Sequence, residues 1–76
     1  MTSKERLHQA EQFAQEAGLT ADSEVAFLFW QDRSMTRSEL YELADKCQRG
    51  EPVLTSRYDE DQYRQWLQWR EQSGAR

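Results

Sequence analysis

The sequence has no isoleucine, no asparagine, one cysteine, one histidine, one proline and three glycines. Each scarcity excludes something. A lone Cys47 rules out a disulfide within the chain and fits a cytoplasmic setting. One histidine, His8, and one cysteine make no spaced ligand set for structural zinc. Gly18, Gly50 and Gly74 stand apart, so no glycine-rich loop can cradle a phosphate. No apolar run approaches the ~20 residues that cross a membrane. None follows Lys4 and Arg6, so no signal peptide is expected. Two lysines against eight arginines, with Ile and Asn missing, point to a GC-rich bacterial or phage coding source.

The balance of what remains is polar. Hydrophobic residues make up 37% of the 76 and charged residues 32%, yet aromatics reach 12%. A chain this short buries only about 60% of its unfolded surface. Large aromatic side chains can compensate for a short core, so the chain reads as folded. A single domain over 1–76 is expected. The net charge of −4 argues against a general nucleic-acid or anionic-membrane surface.

One continuous apolar run organises the rest: Val25-Ala26-Phe27-Leu28-Phe29-Trp30. It has no period, so periodicity alone does not separate strand from helix. Context favours helix. Thr20 and Asp22 lie upstream as N-cap candidates, and Asp22 and Glu24 put negative charge in a first turn. No second strand-like run exists to pair with it. Such a helix, apolar nearly all round, is either central or bound to a partner.

The chain resolves into an all-α pattern, a small bundle of three to four short helices at about 3–17, 21–33, 37–49 and 59–72. Thr2 and Glu5 read as a capping box. Leu7, Ala10, Ala14 and Ala17 follow at helical spacing with Phe13 beside them, and Gly18 stops the helix. A disordered N-terminus is the competing reading. Thr36 and Glu39 form a second capping box, with Met35 and Leu40 as its hydrophobic staple. Leu40, Leu43, Ala44 and Cys47 then repeat at helical spacing, until Gly50 and Pro52 end the element. Glu51–Arg57 is a linker anchored by Val53 and Leu54. Asp59 with Gln62 can cap the last helix, and Tyr58 with Tyr63 can staple it. Tyr63, Trp66, Leu67 and the stem of Arg70 share one face. The expected core is Phe27, Leu28, Leu40, Leu43, Tyr63, Trp66 and Leu67.

No residue constellation points to catalysis. His8 lies in a polar stretch and reads as solvated. Cys47 lies on the apolar stripe and reads as a small buried hydrophobe, whereas reactive thiols need exposure and positive neighbours. Fourteen acids offer carboxylate pairs anywhere, which carries no information. Asp59-Glu60-Asp61 matches a calcium loop in charge only. The expected glycine is missing, and the twelfth position is Arg70. No metal, no cofactor and no enzymatic activity are therefore expected. Arg33, Arg37, Arg57 and Arg64 could form a patch for nucleic acid, but each has acidic neighbours, and the last helix opens with three acids.

What remains is a surplus of aromatics. Eight of them cannot all lie at the centre of so small a core, and aromatics are favoured at protein interfaces. Phe29, Trp30, Arg33, Tyr58, Trp66 and Trp69 are the candidate partner-binding residues. Phe27, Leu28, Trp66 and Leu67 read equally well as core. The expected function is that of a small acidic protein-binding regulator, adaptor or inhibitor, with a homodimer as a further possibility. A second reading rests on a resemblance. Asp22-Ser23-Glu24-Val25-Ala26-Phe27-Leu28-Phe29-Trp30, then Asp32-Arg33 and a helix through Leu40-Tyr41, resembles the middle of the Hha/YmoA family. Those are small helical bacterial proteins that bind the nucleoid protein H-NS. The likeness needs a gap and departs at both ends. It implies a nucleic-acid-associated regulator acting directly or through a nucleoid protein.

Overall fold

A computed structural model describes residues 3–72. Among these residues it contains four helices and no strand: α1 Ser3–Glu16, α2 Glu24–Gln31, α3 Arg37–Gln48 and α4 Arg57–Gln72. The expected all-α bundle is the observed one. The capping box at Thr2 and the stop at Gly74 lie outside the described residues.

α2 is the hub. It packs against α1, α3 and α4, and its Val25, Ala26, Phe27 and Phe29 are buried. The apolar run needs cover on every side, and three helices supply it. α1 contributes more than a thin stripe. Leu7, Ala10 and Ala14 are fully enclosed, and the two alanines let the bulky α2 side chains come close. Phe13 meets the edge of Phe29, ring centroids 5.4 Å apart and nearly perpendicular. Leu40 and Ala44 of α3 close another side, and Leu54 of the linker plugs the core. Leu28, Leu43, Tyr63 and Leu67, expected at the centre, pack at its margin and stay half-buried.

Two helix starts differ from the sequence expectation. α2 begins at Glu24, later than 21, because Ser23 is its cap. Ser23 is extended (φ −69°, ψ 159°), and its Oγ accepts from Ala26 N at 3.2 Å. Thr20 and Asp22 belong instead to a turn closed by Ser23 N donating to Thr20 O. α4 begins at Arg57, earlier than 59, because Ser56 Oγ accepts from Asp59 N at 3.1 Å. Asp59 and Gln62 are therefore not its cap. Tyr58 is not its staple either: it sits inside the first turn and is 67% exposed. The capping box at Thr36 and Glu39 forms as expected.

α1 and α3 end alike. Gly18 N donates to Gln15 O and Leu19 N to Ala14 O; Gly50 N donates to Cys47 O and Glu51 N to Lys46 O. Both pairs are Schellman closures, and both glycines are left-handed, φ 85° and 80°. Their surroundings differ. A Cβ on Gly18 would lie 3.2 Å from Gln48 Nε2, which donates to Ala17 O at 2.8 Å, while a Cβ on Gly50 meets nothing within 4 Å. Both alanine variants carry the left-handed cost of ~1–2 kcal/mol. Gly18→Ala also disturbs the α1–α3 bridge, so its melting temperature is expected to fall further than that of Gly50→Ala. Equal melting points would show that the Gln48 bridge contributes nothing.

Candidate functional site

α4 is held to the bundle chiefly by aromatic side chains. Phe27 of α2 contacts Tyr63 and Trp66, at 5.6 and 5.5 Å between centroids. Tyr63 stacks on Trp66 at 5.9 Å. Trp30 reaches Trp66 at 6.3 Å and Trp69 at 5.2 Å, the latter pair inclined by 37°. All three tryptophans of the chain thus meet along the α2–α4 seam. The i, i+3 and i, i+4 spacing of 63, 66, 67 and 70 points one face of α4 at α2, and Trp69 sits at the edge of that face.

Two polar ties fix α4, one near its middle and one near its C-terminal end. Tyr63 donates its hydroxyl to Asp22 O at 2.6 Å. Arg70 Nη2 donates to Glu11 Oε2 of α1 at 2.5 Å, and its guanidinium lies over the Trp66 ring at 5.3 Å. Both members of that ion pair are mostly buried. Burial, followed by the carboxylates of Asp22 and Glu24, raises the Tyr63 phenol above its ordinary value. A raised acid pKa means that the folded state keeps a proton the unfolded state releases. The stabilisation is therefore full below the unfolded value, about 10, and is lost as pH rises through the folded one. Tyr63→Phe is expected to flatten this alkaline loss in pH-dependent melts and to cost about 1 kcal/mol at neutral pH through the missing hydrogen bond. An unchanged alkaline limb would assign the loss to other groups.

Between α2 and α4 the seam opens into a groove of about 310 Å³. Phe27 and the buried Trp66 form its floor, Trp30 and Trp69 its walls, and Gln31, Gln62 and Gln65 its rim. No lining residue is charged, and none is an acid, a base or a nucleophile. The amides offer donors and acceptors together. Such a surface can bind apolar side chains and backbone amides.

The six candidate residues separate. Trp30 and Trp69 are half-buried and line the groove, and Trp66 is its floor at 3% exposure. Phe29 is also 3% exposed but points away, packed on Phe13 beneath the Arg6 guanidinium, so it presents no docking surface. Arg33 is exposed beyond the end of α2, and Tyr58 is exposed in the first turn of α4; neither lines the groove. The three rim glutamines had no place among the candidates. Gln62 and Gln65 were detectable from their spacing with Trp69, whereas Gln31 comes from another helix.

Some of the remaining charges are paired. Arg37 bonds Glu16, whose carboxyl is held low chiefly by that hydrogen bond. Tyr41 donates to the same carboxylate at 3.2 Å, and Arg37 lies over the Phe13 ring. Arg64 lies 3.7 Å from Asp61, and Arg49 lies 2.7 Å from Glu51. Arg37 and Arg64, half of the possible phosphate patch, thus face carboxylates. His8 is exposed, and Cys47 is half-buried against the core. Among the described residues no group of three His, Cys, Asp or Glu is placed to hold a metal, and no helix is long and apolar enough to cross a membrane. No family model, no curated protein and no solved structure matches the chain.

Proposed function

We propose that the chain is a small non-enzymatic protein-binding regulator, adaptor or inhibitor of bacterial or phage origin, which docks its partner in the α2–α4 groove. One observation carries this reading: in a chain with 32% charged residues, the three tryptophans share one uncharged groove. Tryptophan is the side chain most enriched among residues that dominate binding energy, and half-buried rings give up little rotamer freedom on docking. The amide rim supplies hydrogen bonds without the desolvation cost of ions. A cytoplasmic setting fits the single thiol.

The test is recovery of the partner from native host extract on the immobilised chain. Truncating a central tryptophan typically costs 2 kcal/mol or more, roughly a thirtyfold loss of affinity. Trp69→Ala should therefore lose the partner while keeping its helical circular dichroism. Gln65→Arg, at an exposed rim position, serves as a second probe that leaves the core untouched. Full recovery by both folded variants would exclude the groove.

A further inference from the structure

α4 carries a second pattern beside its core face. Tyr58, Gln62, Gln65 and Trp69 recur at spacings of four, three and four. At 100° per residue they occupy a strip about 60° wide. All four are exposed or half-buried, and none is charged, although seven of the sixteen α4 residues are charged. The nearest flanking acid, Asp61, is already faced by Arg64. The strip reads the same in both directions: aromatic, amide, amide, aromatic.

We infer that the occupant of this strip is a second copy of the chain, paired α4 to α4 in antiparallel orientation about a two-fold axis between residues 63 and 64. The inference rests on the docking role of the groove, because Gln62, Gln65 and Trp69 belong to both surfaces. An isologous interface requires a patch complementary to itself. A two-fold at this point sets Gln62 against the partner's Gln65 and Tyr58 against the partner's Trp69. Each amide both donates and accepts, so the two Gln–Gln pairs satisfy one another. Each Tyr–Trp pair removes the most exposed large apolar side chain, Tyr58, from water. The 4-3-4 spacing is that of helices packed along a common seam.

The expected strength follows from size. The strip spans twelve residues, about 17 Å end to end. With the Trp30 and Gln31 wall it covers on the order of 500 Å² per chain, below the ~800 Å² of stable complexes, so a weak dimer is expected.

Sedimentation of the purified full chain from about 5 to 500 µM at physiological salt tests this, spanning the weak range such an area implies. The weight-average mass should rise from 9.1 kDa towards twice that value. Gln62→Glu with Gln65→Glu places four carboxylates around the axis and should weaken association at least about tenfold. Gln62→Glu with Gln65→Lys faces opposite charges across the two-fold only in the antiparallel register, and should associate as well as the native chain or better. Circular dichroism checks that each variant is folded. A monomeric mass throughout would overturn the inference. So would a Glu/Lys variant weakened as much as the Glu/Glu one, or a Glu/Glu variant that still dimerises. Because no foreign partner is present, these failures are separate from those of the docking role: a monomer whose Trp69→Ala variant still loses a captured protein removes the second copy alone.

Discussion

Phe27→Ala is expected to remove a large share of the chain's stability and to lower its melting temperature sharply. The side chain is 1% exposed and touches the rings of both Tyr63 and Trp66. Truncating a buried Phe costs ~3–5 kcal/mol, part transfer and part cavity. A chain of 76 residues holds roughly 4–11 kcal/mol in total. The loss is therefore a large share of the whole. Phe27 also joins α2 to the helix that has the fewest other attachments, so collapse into the cavity would pull α4 out of register. The measurement is a thermal melt followed at 222 nm, with tryptophan fluorescence reporting the seam. A fall of ~15 °C or more is expected for a domain of this size. Leu28→Ala, at a half-buried neighbour, should cost clearly less. Equal losses would mean that Phe27 is not the link between α2 and α4.

The second large effect is expected at Arg6. Its side chain is only 7% exposed and lies across the C-terminal end of α2. Nε and Nη2 donate to Phe29 O at 3.1 and 2.7 Å, and Nη2 donates to Asp32 O at 2.8 Å. The guanidinium carbon sits 3.8 Å from the centre of the Phe29 ring. Helix ends leave their last carbonyls open and carry partial negative charge. A cation from α1 meets both needs at the end of α2, which stops at Gln31, short of residue 33, where Asp32 turns extended and its carboxylate accepts from Ser34 N. Burial, then repulsion from Arg33, pulls the Arg6 pKa below its ordinary value, while Asp32 opposes them. Arg6→Met keeps the apolar stem, removes the desolvation cost and leaves the Phe29 carbonyl without this donor. The net cost is expected to be about 2–3 kcal/mol. Arg6→Lys should restore little, because a single ammonium cannot bond two carbonyls and stack on the ring as well. If Arg6→Met melts within a degree or two of the native chain, the guanidinium is incidental to the fold.

The site was partly legible before any fold was known. Trp30 and Trp69 stand at the edges of their apolar stripes, which is where half-buried rings end up. Phe29 and Trp66 could not be distinguished from them by residue type, because the same aromatic serves a core and an interface. The difference depends on which neighbour covers each ring. Phe29 is covered by Phe13 and Arg6, 16 and 23 residues away in the chain. Arg6 itself sits in a polar stretch beside Glu5 and looks like any solvated cation. Nothing local marks it as buried.

Local chemistry was enough for the elements. The Thr36–Glu39 box, the glycines at 18 and 50 and the apolar run at 25–30 act over one turn of chain, so helices, stops and the hub can be read directly. Caps were less certain. Thr20, Asp22 and Ser23 are all competent N-caps, and only Ser23 is extended with its Oγ against Ala26 N. Asp22 is instead fixed by Tyr63, 41 residues away. Tertiary packing alone decided that α1 is a full wall of the core, that Arg6 bonds the carbonyls at the end of α2, and that Trp30, Trp66 and Trp69 line one groove with three glutamines. The reason is range. Hydrogen bonds within a turn are set by neighbours in sequence, whereas burial is set by whichever helix arrives from elsewhere, and that depends on the joint packing of all four.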